Sequence, residues 1–91
     1  MLAIRHERDA HRFAADIDGS TAFISYRELP GPTLDFDHTF VPTAFRGGGI
    51  ASQLAAHALR HARDHGYKVV PSCPFVAAYI RRHREYRSFT A

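Results

Sequence analysis

Phe45-Arg46-Gly47-Gly48-Gly49-Ile50-Ala51 marks the change of period that decides the fold. Before it, Thr33 to Val41 alternates Leu34, Phe36, His38 and Phe40 against Asp35, Asp37, Thr39 and Val41, the period of a strand with one covered face. After it, Ile50, Ala51, Leu54, Ala55, Ala58, Leu59 and Ala62 recur at helical spacing, with Ser52, Gln53, Arg60, Arg63 and Asp64 opposite. Consecutive glycines between strand and helix let backbone N–H groups approach an anion at the positive end of that helix. The loop has neither the Lys-Ser/Thr of a P-loop nor the spacing G-x-G-x-x-G, so it supports neither a mononucleotide NTPase nor a Rossmann dinucleotide site. An ordinary flexible turn is the competing reading of the glycines.

Working outward, Gly66 ends the helix as a left-handed cap residue, and Tyr67 to Val70 reads as a short buried strand running into Pro71. Strand, helix, strand implies a parallel pair joined by a right-handed crossover, with a ligand crevice where the two strands end. Upstream, His11 to Ile17 turns through Asp18-Gly19 into Thr21 to Arg27, a tight hairpin, with Leu2 to His6 as a further edge. Downstream, Pro74 suits the first turn of a last helix whose Val76, Tyr79, Ile80 and His83 share a face. The fold class is α+β: a mixed, mostly antiparallel sheet with two helices.

Composition bounds the rest. A chain of 91 residues makes one small domain, 1–91, and excludes a two-domain enzyme. The balance of 12 Lys+Arg against 9 Asp+Glu, with seven His, favours a polyanionic ligand. Any apolar run falls short of the ~20 residues of a membrane span, and the charged start Met1 to Asp9 does not read as a signal peptide, so a cytoplasmic protein away from membranes is expected. The single cysteine, Cys73, allows no intrachain disulfide and builds no zinc site alone.

With strand before and helix after, Arg46, Gly49 and Ala51 match the motif (Q/R)-x-x-G-x-(G/A), and the chain resembles the GNAT superfamily of acetyl-CoA-dependent acetyltransferases. His38-Thr39, Val41-Pro42, Lys68-Val69-Val70-Pro71 and Cys73-Pro74-Phe75-Val76-Ala77-Ala78-Tyr79 are similar to a small single-domain GNAT-like branch, and the resemblance runs from about Phe13 to Tyr86. It implies a GNAT-like fold and acetyl-CoA, or coenzyme A, as cofactor. It also implies a pyrophosphate on the N–H groups of Gly47, Gly48, Gly49, Ile50 and Ala51, flanked by Phe45 and Arg46, and a pantetheine arm paired with the backbone at Phe40 and Val41. Ser72 stands where many members keep an Asn facing the pantetheine, Thr43 where many have Pro, and His83 where a Gly would close the last turn. The two N-terminal helices that shape a typical acceptor site are missing here, with only Asp18-Gly19 in their place, so the acceptor side is open or completed by a partner.

Each candidate for chemistry has a plainer alternative. Tyr79 falls where many GNAT enzymes keep a tyrosine near the thioester sulfur and is the first choice of general acid; on the apolar face with Val76 and Ile80 it is equally a core residue. Cys73, before Pro74 at a helix start, accepts an acyl group or is a buried inert thiol. His38 is a base near neutrality or, if it points inward with Leu34, Phe36 and Phe40, a core histidine. His57, His61 and His65 recur every four residues, a chelating spacing, yet with no carboxylate on the stripe they read as a solvated flank, and no metal is expected. Arg81, Arg82, Arg84 and Arg87, with Tyr86 and Phe89, meet the 3′-phosphate of coenzyme A or form a solvated face; without aromatic interleaving they do not make a nucleic-acid platform. The expected function is transfer of an acetyl group by direct attack of an unidentified amine, small molecule or protein, by a monomer or weak homodimer. The alternative is a non-catalytic acyl-CoA-binding or regulatory module.

Overall fold

Asp18 and Gly19, at φ 47° and 81°, turn the chain between β2 (Arg12–Ile17) and β3 (Ser20–Leu29), the paired left-handed residues that a two-residue hairpin requires. The computed structural model describes residues 2–91. A short β1 (Arg5–Glu7) pairs antiparallel with β2, so the expected edge strand sits slightly later than Leu2 to His6. Gly31, at φ 77°, helps return β3 into β4 (Thr33–Phe40), and β5 (Lys68–Val70) pairs parallel with β4. The sheet order is β1-β2-β3-β4-β5.

Helix α1 (Ile50–Asp64) crosses from β4 to β5 and buries Leu54, Ala55, Ala58, Leu59 and Ala62. Burying Leu54 or Leu59 contributes about 2 kcal/mol each. The helix ends as its sequence predicts: Gly66 has φ 75°, its N–H donates to the Arg63 carbonyl, and the Tyr67 N–H donates to that of Ala62, both bonds of a Schellman cap. Helix α2 (Pro74–Arg82) buries Val76, Tyr79 and Ile80. One core joins both helices to Phe13, Ala22, Ile24, Tyr26, Leu34, Phe36 and Val69 of the sheet. The C-terminal turns, Arg84–Phe89, carry Thr90 to a parallel bridge with Val69, an edge contact that the periodicity did not signal.

Two expectations are corrected. Across β3 and β4, Tyr26 pairs with Phe36 but Ser25 pairs with His38, so Asp37 is an extra residue in β4. A bulge of one residue reverses the facing of everything after it. Leu34 and Phe36 are buried as expected, but His38 and Phe40 turn outward and are exposed, while Val41 is buried with the core. His38 is therefore not a core histidine.

The second correction concerns the histidines of α1. His57 and His61 are half-buried rather than solvated, and with His6 they enclose the Phe13 ring, at centroid distances of 5.6, 5.2 and 4.2 Å respectively. They seat β1 and β2 on the helix. His65, further along, is exposed and stacks on His61. Among the described residues no cluster of three or more metal-ligating side chains is present, and no helix is long and apolar enough to cross a membrane.

Candidate functional site

Beyond Asp35, paired with Val70, β4 and β5 part company. The Cys73 N–H still reaches the Phe36 carbonyl at 2.8 Å, and from there the chain leaves the sheet to begin α2. The β5-facing edge of β4 has no ladder partner past this point among the described residues. That opening is the crevice expected between the strands, and Val41, at its end, leads directly into the glycine loop.

The loop is shaped by short turns. Pro42 leads into Thr43–Phe45, with the Phe45 N–H on the Pro42 carbonyl and the Arg46 N–H on that of Thr43. Arg46 then ties back through Nε to the Val41 carbonyl at 3.0 Å, which fixes the base of its guanidinium beside the loop. Gly47 and Gly49 take φ 86° and 83°, values that a β-carbon disfavours, and Gly49 is the residue preceding α1. The first helical bond runs from the Gln53 N–H to the Gly49 carbonyl, so the N–H groups of Ile50, Ala51 and Ser52 have no partner within the helix. No side chain caps them, and no acidic residue occupies the first turn. A helix start left bare in this way favours a bound anion by its dipole as well as by its donors.

Val41, Phe45, Arg46, Gly47, Gly49, Ile50 and Ala51 line one cavity of about 440 Å³, together with Ser52 and Phe75. The sequence reading missed the last two. Ser52 sits on the polar side of the α1 pattern and Phe75 just after Pro74, and only the packing of α2 beside α1 shows that both border the loop. Gly48 belongs to the loop without lining this cavity. Phe40, 37% exposed, lies on the sheet face away from the helices and packs against Phe23 at 5.6 Å. Ser72 is exposed at the turn after β5, beside Asp35 rather than in this cavity.

The three candidates for chemistry have different surroundings. Cys73 is buried, with its sulfur 3.4 Å from the Thr39 hydroxyl at the mouth of the crevice. Tyr79 is buried too and stacks on His83 at 3.9 Å; with Ser52, Gln53, Ala56, His57 and Arg60 it lines a neighbouring cavity of about 410 Å³, which also takes in Leu2 and Ile4. Burial, and secondarily Tyr86, raises the Tyr79 phenol above its ordinary value, so it stays a proton donor through the physiological range. His38 is on the outer sheet face, its ring 6.0 Å from that of Phe23, and does not line the loop cavity. Arg81, Arg82, Arg84 and Arg87 are exposed while Tyr86 is buried, which leaves the arginines without an interleaved stacking platform.

Comparison with known proteins bears on the family and the fold. The family model described as GCN5-related N-acetyl-transferase matches residues 12–89. The chain is 30% identical over 84 residues to Protein NATD1 of Xenopus tropicalis, covering 90% of this chain and 77% of the relative. It is 29% identical to Protein NATD1 of Mus musculus and of Homo sapiens, again over 90% of this chain, with 76% and 74% of those relatives covered. Among solved structures, an NMR structure from Staphylococcus aureus described as GCN5-like superimposes with a TM-score of 0.71 at 23% identity, covering 99% of this chain and 88% of that one. This likeness shows a shared fold.

Proposed function

This chain belongs to the GCN5-related N-acetyltransferase family, and from that membership we propose that it binds acetyl-CoA and transfers the acetyl group to an amine. The observation that carries the reading is the uncapped start of α1: unpartnered N–H groups at Ile50, Ala51 and Ser52 facing a cavity that Arg46 also borders. These donors fit a pyrophosphate, with the Arg46 guanidinium adding positive charge. The free edge of β4 beyond Phe36 suits the amide-bearing pantetheine arm as a further pairing strand.

Bound acetyl-CoA supplies a thioester whose carbonyl carbon an amine can attack. The new N–C bond forms as the C–S bond breaks, the acetamide is released, and the proton lost by the amine ends on the departing sulfur. Binding both reactants in one orientation accounts for much of such a rate enhancement. Tyr79, protonated at neutral pH, is the side chain proposed to donate to the departing sulfur. Cys73, buried against Thr39, keeps a packing role in this direct route.

Incubation with acetyl-CoA and a panel of primary amines, followed by a thiol reagent, tests the proposal. Time-dependent thiol release that requires both amine and protein is expected. One observation favours the second reading, a non-catalytic acyl-CoA-binding module: the loop cavity has no acidic side chain in its lining to serve as base. Saturable acetyl-CoA binding with no thiol release from any amine would decide for that module.

A further inference from the structure

Among the described residues Asp35 is the one charged side chain that is buried, at 1% exposure. Its neighbours Leu34 and Phe36 point into the core with the buried residues of α1 and α2, so its carboxylate belongs to the opposite sheet face. Oδ2 accepts a bond from Arg27 Nη2 at 2.6 Å, from the residue directly across the β3–β4 ladder. Oδ1 accepts no bond of good geometry, although the Ser72 hydroxyl and backbone N–H approach the carboxylate. A buried carboxylate oxygen held this loosely can still take a better donor.

The cover over this group is thin. Arg27 and Ser72 are both exposed, and the Arg27 side chain is 64% accessible, with the Asp35 contact as its anchoring ion pair. Burial alone would push the Asp35 carboxyl up, but Ser72 and Arg27 outweigh it and hold the group below the usual carboxylate range. It therefore stays charged at neutral pH. A second carboxylate follows on the same strand, where Asp37, the bulge residue, accepts from Ser25 Oγ at 2.7 Å. Asp35 also forms the last β4–β5 pair before the strands part.

We propose that Asp35 is the recognition carboxylate for a cationic amine acceptor, and that Arg27 occupies its place until the acceptor's ammonium displaces the guanidinium. This rests on the acetyl-transfer reading, because it places the acceptor at the end of the crevice from which the acetyl group would emerge. With Asp37 close by on the same strand, the surface favours acceptors that hold one ammonium against these carboxylates while a second, neutral amine attacks, over amines that lack a second cationic group. Arg27 is then a specificity device, since only a ligand cation that competes with a tethered guanidinium gains entry.

NMR titration of the wild-type protein and of Arg27→Gln with 1,4-diaminobutane, read at the amides of Phe36 and Ser72, tests the proposal. Thermal melts verify each fold, and acetyl-CoA binding is measured in parallel by calorimetry. Arg27→Gln is predicted to bind the diamine at least threefold more tightly than wild type, and Arg27→Gln/Asp35→Asn to lose that binding, with acetyl-CoA affinity unchanged throughout. Glutamine at position 27 can still donate to Asp35, and the melt of the single variant keeps the test open even if the double variant unfolds. Equal or weaker diamine binding by Arg27→Gln overturns the proposal, as does undiminished binding by a folded double variant. Absence of acetyl-CoA binding to wild type alongside the predicted diamine pattern would sink the acetyl-transfer reading and leave the amine site standing.

Discussion

The Thr39 hydroxyl lies 3.4 Å from the Cys73 sulfur, tying the last turn of β4 to the first residue before α2 at the place where the sheet opens. The contact exists because the Asp37 bulge reverses the facing of β4. Without that extra residue His38 would face the core and Thr39 would point away from it.

The same relationship makes Cys73 a protected thiol. It is predicted to react slowly with a thiol reagent in the native protein and rapidly in denaturant, because it is buried and bonded. Cys73→Ala should cost about 1 kcal/mol of stability, as small buried truncations do, and leave acetyl-CoA turnover within a few-fold of wild type. Intact mass after incubation with acetyl-CoA checks the alternative, since a stable acetyl increment on the protein that disappears in Cys73→Ala would establish a covalent route.

Gly48 and Gly49 separate the space a side chain needs from the backbone shape it allows. A β-carbon at either position meets no clash, but Gly49 holds φ 83° and Gly48 is not in the left-handed region. Gly49→Ala is predicted to lose about 1 kcal/mol of stability through that φ and to weaken acetyl-CoA binding at least tenfold as the loop relaxes. Gly48→Ala should melt with the wild type. Melting curves and calorimetric titrations of the pair check this, and unchanged affinity in Gly49→Ala would remove the loop from the site.

How far the sequence carried the reading depends on which interactions set each feature. Local patterns carried the hairpin at Asp18-Gly19, the α1 period, the Gly66 cap and Pro74, because each is decided within a few residues. Arg46, Gly49 and Ala51 marked the glycine loop before α1 for the same reason, while its reading as a cofactor loop came from the family resemblance. The facing of His38 and Phe40 was not legible, since a bulge is a choice made between two strands and leaves no mark on the period of one. His57 and His61 read as solvated for a similar reason: the partners that cover them, His6 and Phe13, come from strands far earlier in the chain. Asp35 looked like an outward polar residue of an alternating strand, and only the cross-strand Arg27 and the later Ser72 show that it is buried.

Acid should loosen the contact between β1 and α1. Burial lowers the His61 imidazole to about 4, helped by the nearby His65 and His6, and burial also lowers His6 and His57. These groups take up protons more readily unfolded than folded, so the native state is favoured fully above about pH 6.5, the ordinary histidine value. That advantage is lost as pH falls from there towards 4. Melting temperature measured between pH 7.5 and 4 should drop, and His61→Gln should flatten the fall. An unaltered slope in the variant would show that His61 does not carry it.

Tyr79→Phe isolates the hydroxyl from the ring. The ring keeps its stack on His83 and its place in the core. If the hydroxyl donates to the departing sulfur, kcat should fall by about 10²-fold, the low end for general acid catalysis, with acetyl-CoA affinity nearly intact. Equal losses in affinity and kcat would mean that the hydroxyl supports packing.

The most direct test of the central claim is a calorimetric titration with acetyl-CoA, mapped by NMR onto the backbone amides. The account predicts saturable binding at one equivalent, with the largest shifts at Gly47 to Ser52 and along β4 near Val41. Absence of binding at high micromolar ligand, or shifts confined to the arginines from Arg81 to Arg87, would contradict it and leave the glycine loop a plain turn.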